Sequence, residues 1–326
     1  MVMNNGTLVI SLDFEMMWGC HDWATTDTYG ISNVKQVRFV ISELLGLFQK
    51  YDIHATFATV GLIFCKDKQE ALLSKPSKLP SYENGNLCAY KLGYIESISD
   101  KDAELYFAPD VVEQLKKCVN IEIGTHTFSH YFCWEKGQSV EELSADLAQM
   151  NEIAERNGVK VESIVFPKNM VRNEYLKICK EYGLKVYRGN ALKFFNQPKS
   201  KIDVIKNKIY RMLDAYFNVG GCMAYSPNII NWEENPVNIP ASRLLRPYSV
   251  RLKWLEGLRL HRIIKEMEHA AKNGEIYHLW WHPHNFGSNP KENLEFLEKI
   301  LKCYIDCHNK YGMQSCTMNE IVNKNK

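Results

Sequence analysis

The sequence predicts an α/β fold assembled from parallel βα units. Short apolar runs of strand length recur along the chain, and between them lie longer segments whose apolar residues repeat at helical spacing. A length of 326 residues is normal for an α/β barrel. Strand–helix alternation resumes after each irregular stretch, so residues 1–326 read as a single domain with insertions near 75–102 and 226–250.

Leu8 to Leu12 is the first strand, and Val34 to Tyr51 has helical periodicity through Val37, Val40, Ile41, Leu44, Leu45 and Phe48. Ala55 to Val60 is a second buried strand. The stretch from Lys75 to Asp102, rich in Pro, Ser, Asn and Gly, reads as a surface excursion. Asp110 to Lys117 forms a short helix leading into the strand Ile121-Glu122-Ile123. Ser139-Val140-Glu141-Glu142 has the form of a capping box, which starts a helix that Gly158 stops after Asn157. Ser163 to Phe166 is a strand ended by Pro167, Asn173 to Tyr182 a helix closed by Gly183, and Lys185 to Arg188 another strand. Asn228 to Tyr248, with many Pro and Asn residues, has no clear element. Trp254 to Lys272 is a long helix, Ile276 to Trp281 the last clear strand, and Pro290 to Tyr311 the last long helix.

Hydrophobic residues make up 45% of the chain and charged residues 24%, the balance of an ordinary protein with a substantial core. A formal net charge of +2 gives no electrostatic reason to expect nucleic acid or an anionic membrane as partner. The basic cluster Lys199 to Lys208 is interrupted by apolar residues and reads as a solvated helix face. Ten cysteines show no C-x-x-C pair and no dense framework, so free and mostly buried thiols are expected. No run approaches the roughly 20 apolar residues that span a bilayer. The first residues lack a basic stretch followed by an apolar run, which together with the free thiols makes a cytosolic location the expectation.

In a parallel barrel, functional side chains gather at the C-terminal ends of the strands. Asp13 and Glu15 follow the first strand, His126 and His130 the third, Pro167-Lys168-Asn169 the fourth, and His282-Pro283-His284 the last. Two imidazoles four residues apart at a strand end can turn toward one point, and neutral histidine is the commonest partner of a zinc-type ion. A third, anionic ligand would come from Asp13 or Glu15, which share one side of an extended chain.

These residues also carry a resemblance. Leu8 to Glu15, Ala55 to Gly61, Ile121 to His130, Val165 to Asn169 and Tyr277 to Pro283 resemble, in order and spacing, the successive motifs of the polysaccharide deacetylases, carbohydrate esterases of the NodB-homology type. The resemblance spans roughly residues 7 to 285, and His-Thr-x-Ser-His after Glu-Ile-Gly is its most specific part. It implies a distorted (β/α) barrel, usually of seven strands, and a divalent metal, Zn²⁺ first, used to hydrolyse acetyl groups from sugars. It further implies Asp13 as catalytic base, with Glu15, His126 and His130 as metal ligands and His282 as acid. Asp13 and Glu15 exchanging roles, Asp22 or His21 supplying a ligand, and His284 in place of His282 stay open. The chain departs from the family pattern in two places. Phe14 stands where a second adjacent aspartate is common, and Lys168 stands near the position of an arginine, so the bidentate contact of a guanidinium to the base carboxylate is expected to be lost. Asp214 is a candidate to replace part of that scaffold. Trp18, Trp280 and Trp281 are candidate stacking surfaces for sugar rings, with core packing the alternative for the last two.

The function implied is a metal-dependent hydrolase that removes an acetyl group from an N- or O-acetylated sugar in a glycan or glycan precursor, nucleotide- or lipid-linked. The competing expectations are hydrolysis of a non-sugar amide or cyclic imide, and a catalytically silent carbohydrate-binding barrel.

Overall fold

The computed structural model describes residues 5–192 and 201–325. Its strands are β1 (Thr7–Phe14), β2 (Ala55–Thr59), β3 (Ile121–Thr125), β4 (Ser163–Ile164), β5 (Val186–Tyr187), β6 (Val237–Asn238), β7 (Arg243–Leu244), β8 (Ile276–Trp281) and β9 (Gln314–Cys316). They join one sheet in the order β6-β5-β4-β3-β2-β1-β8-β7, with β9 beside β1. The ladders between them are parallel.

β1 is central and buried along its whole length. Its alternate residues Leu8, Ile10, Leu12 and Phe14 enter the main core with Val40, Ile41 and Leu44 of the helix Val37–Lys50. Val9, from the other face, joins a smaller apolar cluster with Ala58, Val165, Val186 and Ile239, which fills the inside of the curl. That cluster is completed by Met318, Ile321 and Val322 of the C-terminal helix Met318–Asn323. Higher on the same face of β1, Ser11 and Asp13 replace the apolar residues, and the interior becomes polar.

The resemblance implies a barrel of usually seven strands, and nine are found among the described residues. The edges β6 and β7 are consecutive in the chain and belong to one extended segment that changes partner. Ile239 and Ala241 donate their N–H groups to Tyr187 and Gly189 on the β5 side, whereas Ser242 and Leu245 donate to His278 and Trp280 of β8. The region that showed no clear element in sequence therefore closes the curl, its ladder too short and too rich in proline to show period-2 alternation. β9 is a further short strand, occupying the edge of β1 below the start of β2.

The helices follow the periodicities closely, at Val37–Lys50, Pro109–Lys116, Val140–Arg156, Asn173–Glu181, Glu256–Asn273 and Pro290–Tyr311. Glu142 accepts the Ser139 N–H at 3.1 Å, as a capping-box glutamate should. Gly274 and Gly312, at φ 66° and 71°, end the last two in the left-handed conformation glycine permits. Residues 75–102 are less of a surface excursion than their composition suggests. Tyr82, Cys88, Ala89, Ile95 and Ile98 are buried in the main core, and the Tyr82 hydroxyl accepts the Phe132 N–H at 2.8 Å. All ten cysteines are free and eight are buried. Of the basic cluster Lys199–Lys208, residues 199 and 200 lie outside the described residues, and the rest begins the helix Lys201–Asp214. No helix among the described residues is long and apolar enough to cross a membrane.

Gly287 ends the turn Pro283–Phe286 that follows β8, and a Cβ added there would overlap the backbone carbonyl of Asn33 and lie 2.9 Å from its Cα. The contact ties the β8 loop to the segment before the first long helix, where the Asn33 amide also donates to His284 O at 3.2 Å. Gly287→Ala should therefore lower stability by about 1–3 kcal/mol, read as a lower urea midpoint at unchanged m-value.

Candidate active site

Glu15 lies one residue beyond β1 and opens the turn Met16–Gly19, with Met16 at φ 49°. Its carboxylate folds back over Gly19, where an added Cβ would overlap it. The carboxylate is 4% exposed as a residue and faces four imidazoles. Oε2 lies 3.3 Å from His126 Nε2 and 3.1 Å from His130 Nε2, while Oε1 lies 3.5 Å from His282 Nε2 and 3.8 Å from His284 Nε2. Burial pushes the Glu15 carboxyl up, but His282, His126 and His130 together outweigh it and hold the group well below the usual carboxylate range. Burial pushes His130 down to about 4 and His284 down to about 3. At neutral pH this is an anionic carboxylate beside imidazoles that are neutral at His130 and His284, and each neutral ring keeps a lone pair for a cation.

The histidines are presented by a strained loop. His126 follows β3 and donates its N–H to Thr59 O at 2.9 Å. Thr127 and His130 have φ of 65° and 57°, a region non-glycine residues seldom occupy. Asp146, reaching in from the helix Val140–Arg156, compensates: its carboxylate accepts the N–H groups of Phe128 (2.6 Å) and Ser129 (3.0 Å) and the Ser129 hydroxyl. Thr127 Oγ1 takes the Tyr131 N–H at 2.6 Å.

Asp13 is held separately. Arg188, just past β5 and without exposed surface, forms a two-pronged ion pair with it, Nη1 to Oδ1 and Nη2 to Oδ2, both at 2.7 Å. The remaining donors of the guanidinium reach Ser11 Oγ at 3.0 Å and Asn169 Oδ1 at 3.1 and 2.8 Å, and its plane lies 4.2 Å from the Trp280 ring. Burial raises the Asp13 carboxyl, and Arg188, with His126 and His282, more than offsets this and leaves it below its ordinary value. Ser11 Oγ also meets His278 Nε2 at 2.8 Å, and His278 Nδ1 meets Pro240 O at 3.2 Å. Burial and Arg188 lower His278 to about 3, so it is a neutral acceptor for the serine hydroxyl.

His282 Nε2 lies 3.6 Å from Asp13 Oδ2, between the two carboxylates. Its Nδ1 is 3.3 Å from the Asn285 amide, whose oxygen takes the Tyr29 hydroxyl at 3.2 Å. By rotating, that amide can offer either a donor or an acceptor to Nδ1. A cavity of about 630 Å³ opens beside Asp13 and His282, lined also by Trp280, Lys168, Asn169, Met212, Arg211 and Arg246. His284 does not line it.

The donor set fits a divalent cation. Glu15, His126 and His130 each bring one ligand atom within 4.8 Å of the others, all three residues buried. Separations of 3.1 and 3.3 Å are close to the edge of a tetrahedron with ligands at about 2.0–2.1 Å. A second group, Glu15 with Cys20 and His284, meets the same criterion.

Residues 27–187 match the model of the polysaccharide deacetylase family. Over that segment the chain is identified with the polysaccharide deacetylase family. The match contains His126 and His130 but stops short of Asp13, Glu15, Arg188 and His282, which are joined to it only by the fold. No curated protein matches the chain. Among solved structures, a candidate polysaccharide deacetylase from Mycobacterium smegmatis aligns with a TM-score of 0.59 at 12% identity, over 99% of this chain and 90% of that one. A GH57-type branching enzyme from Pyrococcus horikoshii aligns at 0.55 with 11% identity, over 98% and 70%. A 4-alpha-glucanotransferase from Thermococcus litoralis aligns at 0.53 with 12% identity, over 99% of this chain and 41% of that one. At such identities these likenesses concern the fold alone.

Several expectations for individual residues need correction. Trp18 has no exposed surface; its Nε1 donates to Tyr106 O at 2.8 Å and its ring packs on Tyr106 and Phe107, so it is a core residue. Trp281 is likewise buried, whereas Trp280, facing the other side of β8, lines the cavity. Lys168, at φ 57°, faces Asp22 at 3.7 Å and Glu135 at 3.9 Å and does not take over the arginine contact. The bidentate contact expected to be lost is present, made by Arg188. Asp214 is engaged elsewhere, with Arg243 at 2.9 Å and Arg262 at 3.3 Å. His21 Nδ1 is turned to Trp18 O, and neither His21 nor Asp22 belongs to a cation-binding group among the described residues. Arg188 was legible by the strand-end rule, as the last residue of the predicted Lys185–Arg188 strand. Asp146 was legible as an acid on the buried stripe of an amphipathic helix.

Burial raises the Asp146 carboxyl from 3.8 to about 6. Between those values the native state keeps a proton that the unfolded chain has released, so the contribution of Asp146 to stability falls as pH rises through that window. Asp146→Asn should flatten this part of the stability–pH curve. It should also cost about 1–3 kcal/mol at pH 5, because an amide nitrogen then faces a backbone N–H; urea titrations at several pH values would read both effects.

Proposed function

We propose that this protein is a metal-dependent deacetylase acting on an acetylated sugar, with Asp13 as base, His282 as acid, and Glu15, His126 and His130 as metal ligands. The observation that carries this reading is the division of labour between the two carboxylates. Both oxygens of Asp13 are gripped by one guanidinium, whereas Glu15 is turned to the imidazoles. A divalent cation at Glu15, His126 and His130 would polarise an acyl carbonyl and lower the pKa of water.

Arg188 keeps Asp13 ionised and fixes the direction of its lone pairs, so that Oδ2, on the cavity side near His282, can take the proton of an attacking water. The water oxygen then bonds to the acyl carbon, and the bond from that carbon to the sugar nitrogen or oxygen breaks. His282 Nε2 supplies the proton the leaving atom needs while Nδ1 keeps its N–H, and the Asn285 amide, turned to offer its oxygen to that N–H, keeps the ring oriented. Being part-exposed on the cavity, His282 suits this role better than the enclosed His284. Trp280, braced by Arg188, offers a face for a sugar ring. A cytosolic site of action is part of the same reading, supported by ten cysteines free of disulfides.

Purified protein reconstituted with zinc should release acetate from a member of a panel of N- and O-acetylated sugars. Asp13→Asn should lower kcat by about 10²–10⁴-fold with metal content unchanged. Arg188→Lys, which keeps the charge and loses the fork, should cost about 10- to 100-fold. His126→Ala/His130→Ala, still folded by circular dichroism, should lose the bound metal measured by elemental mass spectrometry. Metal binding without acetate from any panel member would overturn the deacetylase assignment, and ring-opened product from a cyclic imide would replace it.

A further inference from the structure

The lining of the cavity carries positive charge that no acid among the described residues pairs. Arg211, on the helix Lys201–Asp214, and Arg246, two residues past β7, both line the cavity that reaches Asp13 and His282. Arg246 is half-buried and close to three other arginines, Arg211, Arg243 and Arg259. Two of these are matched by acids: Arg243 pairs with Asp214 and Glu266, and Arg259 with Glu256. Arg262 shares Asp214 and Glu266 with Arg243. Five guanidiniums thus face three carboxylates, and the two without an acid partner among the described residues, Arg211 and Arg246, both line the cavity, beside the paired Arg243 and Asp214. Burial and the like charges around it push Arg246 below its ordinary value, which an arriving anion would relieve.

We propose that Arg211 and Arg246 form a phosphoryl-binding subsite, so that the acetylated sugar enters carrying a phosphate or diphosphate. An excess of two positive charges matches a doubly charged phosphoryl group better than a single carboxylate, and guanidinium forks suit its oxygens. The cavity, at about 630 Å³, has room for a sugar with such a group, which would lie at Arg211 and Arg246 while the acyl group reaches Asp13 and His282. The inference rests on the deacetylase reading for the identity of the sugar end, but not for the anion.

The test separates the two. Inorganic pyrophosphate is titrated calorimetrically into the full chain carrying His126→Ala/His130→Ala, so that no cation at those ligands can hold it. Saturable binding that weakens as salt rises, and that falls about 10- to 100-fold in Arg246→Ala and in Arg211→Ala while Arg246→Lys retains part of it, is the expected result. Absence of binding, or binding indifferent to both arginine variants with unchanged circular dichroism, overturns the proposal. With the wild-type holoenzyme, N-acetylglucosamine 1-phosphate should compete against pyrophosphate more strongly than N-acetylglucosamine; equal competition also overturns it. Uridine diphosphate and a short prenyl diphosphate, added as competitors, distinguish a nucleotide carrier from a lipid one. Arginine-dependent pyrophosphate binding without acetate release from any sugar leaves the subsite standing and removes the deacetylase reading; acetate release from neutral sugars with no phosphate preference does the reverse.

Discussion

Everything at the candidate site depends on the enclosed ion pair between Arg188 and Asp13. Taking either charge out of water alone would cost several kcal/mol, and only close bidentate geometry with every other donor satisfied offsets that. Ser11 and Asn169 complete the set, and Trp280 covers the guanidinium. The pair joins the end of β1 to the end of β5, strands separated in the sheet by β2, β3 and β4, so the curl of the sheet and the state of the carboxylate are one constraint. With Asp13 held in this way, Glu15 two residues on is left to the imidazoles.

The positions of Asp13, Glu15, His126, His130 and His282 were legible because strand-end residues in a parallel fold converge, and each strand concerned is marked by a clear apolar run. Lys168 was given too much weight for a related reason. Its place near a proline resembles the family pattern, but sequence order carries no information on which of two neighbouring strand ends reaches across the interior. Arg188 does so from β5, and the turn at Lys168 and Asn169, both with positive φ, sends the lysine to the cavity lining near Asp22 and Glu135 while Asn169 supports Arg188. Trp18 was misplaced because a tryptophan three residues from a ligand candidate suggests a sugar platform; the turn after Glu15 instead directs it into the core beneath Tyr106.

The strands beyond the expected seven lie where local pattern is weakest. A two-residue ladder has no periodicity to detect, and segment 237–245 divides its hydrogen bonds between two neighbours. The buried aromatic residues of segment 75–102 were hidden by the turn-forming residues around them. In both regions tertiary contacts decide what local propensity leaves open.

The Glu15 carboxylate occupies the space a side chain at position 19 would fill. Positions 15 and 19 are therefore a single steric choice: a four-atom acid reaching back over the turn needs a bare backbone beneath it. Any residue larger than glycine at 19 would displace the carboxylate from all four imidazoles at once, and the chain would lose a ligand while every ligand residue remained in its sequence. A relative with a side chain at this position would have to place its acid differently, on a shorter stem or one residue away, and this single glycine tells the two arrangements apart.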